Sequence, residues 1–575
     1  MLKKAALRFL WDAFFPMISD RTISSLGRHW FARSWRDFQN AAKNPAEHQK
    51  KRLLQILSRN AETEFGKRHG FFSVKNPADY KKAVPARIWT DFEPMMSRIV
   101  QGEKNVLTSE DIIFFARTSG TTGSPKFIPV TGSYQEEYLA GRKIWLRQVV
   151  FEHPGIVRGK LLTIHAPSID TKSPSGVPCG SITSFLISIN QGSRVARGIQ
   201  AIPPEVYNLS DFAAKYYYIL RFALESPISS ISAVNPSTIL LFCRKLSEFA
   251  LRLAEDLRGG TINDNFDVPA DFRLKMGRGL KPRPAIADRL TESLSRHGFI
   301  KPGEIWKTLC LLCSWKGGSS SFYLDQFPRY FDGLKVMDFG YGATEGNFSV
   351  PLSADDSDGI LIPHGHYLEF IPESEKTRGG EAALPMDKLE PGGRYYVLIT
   401  GSNGLYRYDI NDLVECTGFY GKTPRVVFVG KGENVLSITG EKITEWQVEE
   451  AVKVSSNALG IGIVGFTCSI RLEATPFYVL AVETEMAFPE QPLRDLLKRF
   501  DQTVRHLNLE YEAKRKSLRL EAPLLKVLRP GTFLRFREEQ VAAGIPDSQC
   551  KPPHISTVGI LVDPKMALSE VHLRE

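Results

Sequence analysis

Cysteine, long apolar runs, charge of one sign and repetition are all scarce in this 575-residue chain, and each scarcity removes a class of protein. The seven cysteines (Cys179, Cys243, Cys310, Cys313, Cys416, Cys468, Cys550) are scattered and odd in number, which argues against a disulfide framework and for a reducing compartment. Cys310 and Cys313 form a CxxC. Without a second pair or an exposed turn they read as thiols buried in an apolar strand, not as a redox or zinc motif. No apolar stretch reaches the length that spans a bilayer. Lys plus Arg number 74 against 64 Asp plus Glu; the resulting charge of +10 is too diffuse for a nucleic-acid surface and suits anionic small molecules. No internal repeat or low-complexity tract is visible.

What is there is an ordinary soluble composition, 42% hydrophobic and 24% charged, on a chain long enough for two or more domains. The opening "MLKKAALRFLWDAFFPMI" has its apolar run broken by Arg8 and Asp12, so it reads as an amphipathic helix docked on the protein's own body, with weak membrane-surface contact as the alternative. Cytoplasm is the expected location and a monomer the expected state. Residues 1–75 read as helical, with Gly66 as a stop after "QKKRLLQILSRNAETEFG". Between about 110 and 430, strand-like runs ("DIIFFA", "KLLTIHA", "LKVMDFG", "YYVLIT") mix with helical ones ("SDFAAKYYYILRFAL", "PSTILLFCRKLSEFALRLAEDL"), which predicts an α/β body. After "RVVFVGKGENVLSI" the pattern changes. A helix capped by Thr444 and Gln447, two apolar strands and a charged helix near 489–515 read as a smaller α+β domain. The expected division is 1–430 and 431–575.

The densest chemical signal is "ARTSGTTGSPKFIPVT", Ala116 to Thr131. It fails the Walker A spacing and the dinucleotide fingerprint, and both its flanks are strand-like. The next helix is expected near Ser133, with Ser133 and Glu136 as a capping box. The segment therefore reads as a loop between strands that holds phosphate: glycines admit backbone N–H groups, hydroxyls donate, and Lys126 supplies charge.

"TSGTTGSPK" resembles the signature loop of the adenylate-forming superfamily, which holds acyl-CoA synthetases, peptide-synthetase adenylation domains and luciferases. Three further motifs follow in that superfamily's order. "DFGYGATEG", Asp338 to Gly346, is similar to its aromatic-Gly-x-Thr-Glu motif and follows an apolar strand, where α/β ligands bind. "GLYRYDINDLVECTGF" is similar to its Tyr-Arg-x-Gly-Asp motif, in a register that ends on Asp409 or Asp412. The downstream "TGF" favours Asp412, which puts Tyr408 and Asn411 at the Tyr and Gly positions. Asn there is compatible with a left-handed turn. "GKGENVLSITGEKITEWQVE" is similar to its hinge, with Lys431 at the Arg position and Glu433 at the hinge position.

"LCLLCSWKGGSSSFYLDQF", "YLEFIP", "GRYYVLITGSNGLYRY", "NVLSITGEKITE" and "GTFLRFREEQVAAG…QCKPP" narrow the resemblance to the auxin-responsive acyl-acid amido synthetase family, from roughly Gln49 to Ile555. The Pro-Lys ending of the loop departs from plant members and marks a divergent, bacterial-type relative. The resemblance implies an adenylate-forming fold: a large N-terminal domain of mixed sheets with packed helices, and a small α+β lid. It implies ATP and Mg²⁺, an acyl-adenylate intermediate with release of pyrophosphate, and transfer to an amine, typically of an amino acid, with release of AMP. It places Thr118, Ser119, Gly120, Thr121, Thr122, Gly123 and Lys126 on phosphate, and Tyr341 with Gly342 against adenine. Thr344 falls at the α-phosphate, Glu345 on Mg²⁺ and Asp412 on ribose. Lys431 lies beside the nucleotide, and Lys551 of "QCKPP" stabilises charge on phosphorus, with Lys526 as the rival position.

Gly317 and Gly318 of "WKGGSSS" are expected either to admit nucleotide or acyl group against the backbone or to form a strand-end turn. "HAPSIDTKSPSGVPCG" reads as acyl pocket or as plain loop. His364 and His366 lack a third ligand and read as strand-edge residues. The leading function is an acyl-acid amido synthetase. A ligase with a thiol acceptor such as coenzyme A and a non-catalytic nucleotide-binding relative stand beside it.

Overall fold

A computed structural model of the chain describes residues 19–573 apart from 119–125, 192–197, 263–264, 319, 433–434, 437, 439–440, 442, 474, 517–519, 544, 546–549, 551 and 557–565. The opening amphipathic segment, residues 1–18, thus lies outside the described residues. The chain divides into two compact units, Met1–Phe428 and Val429–Glu575.

The first unit begins with helices Asp20–Trp30, Ala32–Lys43 and Pro45–Arg59, the last opened by a proline whose missing N–H costs nothing at that position. That helix ends at Arg59 with Asn60 as its C-cap, not at Gly66. Thr63 caps a new short helix, Glu64–Arg68, and accepts from the Gly66 amide at 3.0 Å. Gly66 is required by close approach: a Cβ there would sit 2.2 Å from the Asn60 carbonyl oxygen. The helical run predicted from Pro236 is two helices, Pro236–Glu248 and Ala250–Gly259, broken at Phe249.

Three sheets organise the rest of the unit. Strands Lys160–Thr163, Ile228–Ser232, Leu311–Cys313 and Val336–Met337 run parallel, in that spatial order, and their short apolar runs suit a sheet buried on both faces. A second sheet orders Lys126–Val130, Phe114–Thr118, Pro178–Gly180 and Thr171–Lys172. A third, of seven strands, has Thr423–Lys431, Tyr408–Tyr420, Arg394–Thr400 and Tyr367–Pro372 as successive antiparallel neighbours at its centre. One hydrophobic cluster runs from Leu53 and Ile56 through Phe115, Tyr134 and Phe348 to Val397, so the N-terminal helices and two of the sheets share a core.

All seven cysteines are free thiols. Burial pushes Cys310 up to about 11 and Cys313, on its strand, up to about 12, which leaves both unreactive near neutrality. Among the described residues, no helix is long and apolar enough to cross a membrane.

The second unit is a five-stranded sheet, ordered Ile555–Ser556, Ile463–Arg471, Phe477–Thr484, Leu524–Leu528 and Ala567–His572, with helices Glu445–Leu459 and Glu490–Leu507 as its longest. Thr444 and Gln447 form the expected capping box. The charged helix predicted to reach 515 ends at Leu507, and Leu509–Lys516 is a separate helix. The Asn508 side chain accepts from the Tyr511 amide and so starts the new helix.

Candidate active site

The loop of the opening signal joins two antiparallel strands whose register pairs Thr118 with Lys126. Ser119, Gly120, Thr121, Thr122 and Gly123 lie outside the described residues; Thr118 is described as the strand's last residue, without its side chain. Lys126 begins the return strand. Its ammonium lies 5.5 Å over the Trp89 ring and 3.4 Å from the Tyr408 hydroxyl. The helix after this strand is Gly132–Leu139, and Thr131 caps it by accepting from the Tyr134 amide at 3.2 Å. Ser133 is therefore not the cap. Its amide and hydroxyl both donate to Glu110, and Arg59 also reaches the hydroxyl.

"DFGYGATEG" starts where the parallel strand Val336–Met337 ends. The Asp338 carboxylate accepts from the backbone N–H groups of Lys316 (3.0 Å) and Gly340 (2.9 Å), which ties the Leu311–Cys313 strand end to this one. Burial outweighs those bonds and pushes Asp338 up to about 6. Gly340 has φ +84°, and a Cβ on it would meet the Ser349 carbonyl oxygen at 2.3 Å, so only glycine fits the turn. Gly342–Ala343 and Gly346–Asn347 then pair as a hairpin whose two-residue turn is Thr344 and Glu345. Glu345 is buried, and its charge raises the hydroxyl pKa of Tyr134, Tyr138, Tyr341 and Tyr408, in each case behind the larger effect of burial.

Tyr341 faces Phe428 in a stacked arrangement (5.7 Å, 14°) and has Phe348 at 4.8 Å. Its hydroxyl donates to Asp412 Oδ2 at 2.9 Å. Asp409 is engaged otherwise: Lys376 holds its carboxylate at 2.5 Å, and it accepts from the Asn411 amide. Asn411 adopts φ +57°, in the left-handed region expected at that position. The strand is fixed by Arg407, buried, which donates to Glu369 at 2.8 Å and to the carbonyls of Val84 and Gly380. Backbone bonds between Arg87 and both Arg407 and Asp409 attach the Trp89 segment alongside.

The structure thus brings together Lys126, Tyr408, Asp412, Tyr341, Thr344 and Glu345. Gly317 is close by, since a Cβ there would lie 3.3 Å from the Phe428 carbonyl oxygen; Gly318 has φ +56°. Lys431 is exposed at the end of its strand in the second unit. Lys551 and Glu433 lie outside the described residues. Lys526 does not suit a mobile catalytic role: it is buried on a central strand and ion-paired with Glu570 at 3.3 Å. His366 directly precedes the strand Tyr367–Pro372. Its ring is buried 3.0 Å from Glu137, against Tyr134 and Phe348. Sequence reasoning missed Trp89, Tyr134, Tyr138 and Phe428. Only the i, i+4 pair Tyr134 and Tyr138, on the helix after the loop, left a local trace.

Three family models match the chain: the GH3 family N-terminal domain over residues 34–336, its central domain over 359–431 and its C-terminal domain over 446–559. Jasmonoyl–L-amino acid synthetase JAR4 of Nicotiana attenuata is 27% identical over 540 residues, which cover 90% of this chain and 92% of that protein. Indole-3-acetic acid-amido synthetase GH3.3 of Arabidopsis thaliana is 26% identical, with 88% of each chain covered. The solved structure of AtGH3.15 acyl acid amido synthetase in complex with 2,4-DB superposes with a TM-score of 0.85 over 95% of this chain and 98% of that one at 22% identity, so the fold is shared.

Proposed function

Because this chain belongs to the GH3 family, whose N-terminal domain alone matches more than half of it, we propose that the cluster from Lys126 to Asp412 is where a carboxylic acid is adenylated. The protein is an ATP-dependent acyl acid amido synthetase that joins a small-molecule acid to an amino acid. The acid's carboxylate attacks the α-phosphorus of ATP, pyrophosphate leaves, and the amine then attacks the acyl carbon and expels AMP. Activation is needed because a carboxylate is a poor electrophile.

The observation that carries the site is the meeting of a phosphate-loop lysine with the Thr344–Glu345 turn and Asp412 across two tyrosines. In this reading Asp412 accepts from the ribose hydroxyls. The purine takes the flat face of Tyr341 that Phe428 now covers, and the glycines at 120, 123, 317, 318 and 342 keep side chains away from the nucleotide. Lys126 neutralises phosphate charge, and Thr344 bonds the α-phosphate. Glu345, a buried carboxylate oxygen donor on a tight turn, fits Mg²⁺ and would hold it; bound there, the ion supplies charge neutralisation on the phosphates. Lys431 contributes a further cation toward the nucleotide. Lys551 is the candidate for stabilising charge on phosphorus, the buried Lys526 being committed to Glu570.

ATP–pyrophosphate exchange with aryl, indolyl and fatty acids, run without amine, tests the reading. Exchange that depends on one acid class and falls by a factor of about 10²–10³ in Glu345→Ala is expected, that loss being the size seen when a group stabilising transition-state charge is removed. Exchange that is indifferent to Glu345, or absent with every acid, overturns it. Amino acids and coenzyme A added afterwards identify the acceptor; acyl transfer to the thiol alone would replace the amide assignment.

A further inference from the structure

Two phenols, Tyr134 buried and Tyr138 half-buried, touch the backbone of the catalytic hairpin, and the reaction as described above uses neither. Tyr134 and Tyr138 stand one helical turn apart on Gly132–Leu139, so both point to the same side. The Tyr134 hydroxyl donates to the Thr344 carbonyl at 2.5 Å, and the Tyr138 hydroxyl donates to the Ala343 carbonyl at 3.3 Å. Asn347, on the hairpin's other strand, donates back to the Tyr138 carbonyl at 3.4 Å. The hairpin is only two residues per strand, and such a ribbon is not stable by itself.

The helix that carries these phenols is itself pinned. Glu137, between them in sequence and fully buried, accepts from Arg52 on an N-terminal helix and from the hydroxyl and amide of Ser402, and lies beside His366. Burial alone would raise the Glu137 carboxyl; the His366 ring, Arg52 and Ser402 outweigh it, and it stays ionised below the usual carboxylate range. At the helix's other end, Thr131 caps it directly after the strand that Lys126 begins.

We propose that Tyr134 and Tyr138 are positioning residues that hold Thr344 and Glu345 in register with Lys126. The strand, the cap, the helix and the two phenols form one rigid linkage from the loop lysine to the metal-binding turn. The inference rests on the reading of Glu345 given above, and what it adds is the set of groups that aim that carboxylate. A misplacement of a fraction of an ångström at this turn is costly because phosphoryl chemistry here depends on positioning.

Tyr134→Phe and Tyr138→Phe keep the rings and their packing and remove only the donated bonds. In ATP–pyrophosphate exchange at saturating acid, Tyr134→Phe should lower kcat by about tenfold to a hundredfold and Tyr138→Phe by less, its bond being longer. The half-saturating Mg²⁺ concentration should rise in both, while the KM for acid stays unchanged. Hydrogen exchange of the peptide carrying 338–349, measured on the nucleotide-free protein, should quicken in both variants, a readout that does not need turnover. Quickened hydrogen exchange in protein that shows no acid-dependent turnover would sink the adenylation reading and leave the clamp standing. Unchanged hydrogen exchange, or a loss of kcat with unaltered Mg²⁺ dependence, would overturn the clamp.

Discussion

Asp412 and Asp409 are three residues apart on one strand and chemically identical, so their neighbours decide what each can do. Asp412 is buried and receives the Tyr341 hydroxyl, whereas Asp409 is spent on Lys376 and on its own turn. Asp412→Asn should therefore raise the KM for ATP by about tenfold to a hundredfold, since charge-assisted bonds to ribose contribute about 1.5–3 kcal/mol. Asp409→Asn loses a partly exposed ion pair, and its melting transition should move by no more than about 1 kcal/mol with exchange nearly intact. Exchange kinetics and melts on the two variants check this, and the opposite ranking would transfer the ribose role to Asp409. The motif in the sequence carried both registers; choosing between them needed the burial and the partners.

At the scale of elements, signals written in consecutive residues were readable and those made by distant chain were not. The Thr444–Gln447 box is local, and it forms as its spacing predicts. Ser133 carries the same local signal, but Glu110 and Arg59 claim its hydroxyl, and Thr131 caps instead. Gly66 reads as a helix stop, yet its role is to let the chain pass the Asn60 carbonyl. The loop, the hairpin motif and the strand motif were legible because each is a short run of chemically constrained residues. Trp89, Tyr134 and Tyr138 were not, because an aromatic on a helix looks the same whether it fills a core or holds a turn. Gly340 joins both kinds: its motif is local, and its necessity is tertiary. Gly340→Ala forces a left-handed φ on a residue with a Cβ and drives that Cβ into the Ser349 carbonyl. It should cost the first unit about 2–4 kcal/mol in denaturant unfolding, more than strain alone. A cost below about 1 kcal/mol would mean that the turn relaxes and that the hairpin's start is not fixed there.

For the molecule as a whole, two compact units mean that unfolding has no reason to be a single transition, so pH dependence has to be read on the first unit's own melt. That unit holds His165 and His364, both pushed down to about 4 chiefly by burial. His364 is further lowered by His48 and Arg52 against Asp37, and His165 by Lys215 against its bond to the Ala166 carbonyl. For each ring the unfolded chain binds more protons than the folded one between pH 6.5 and about 4. Their contribution is complete above 6.5 and is lost as the pH falls through that window. Asp338, raised to about 6, works in the other direction: its neutral form suits the fold, so its contribution is complete below about 4 and is lost as the pH rises toward 6. Burial also lowers His69 and His153 and raises Asp170 and Glu369, and four rings against three carboxyls leave stability rising with pH between 4 and 6. Removing His364 should flatten that slope and removing Asp338 should steepen it. In thermal melts across this range, His364→Gln should therefore narrow the gap between pH 4.5 and pH 6.5 by about 1–2 kcal/mol, and Asp338→Asn should widen it. A His364→Gln melt that keeps the wild-type slope would mean that the ring is already solvated in the folded unit. The acid sensitivity in this window would then rest on His165, with His69 and His153 beside it, because Glu137, held below the usual carboxylate range, loses its contribution only below about pH 4.5.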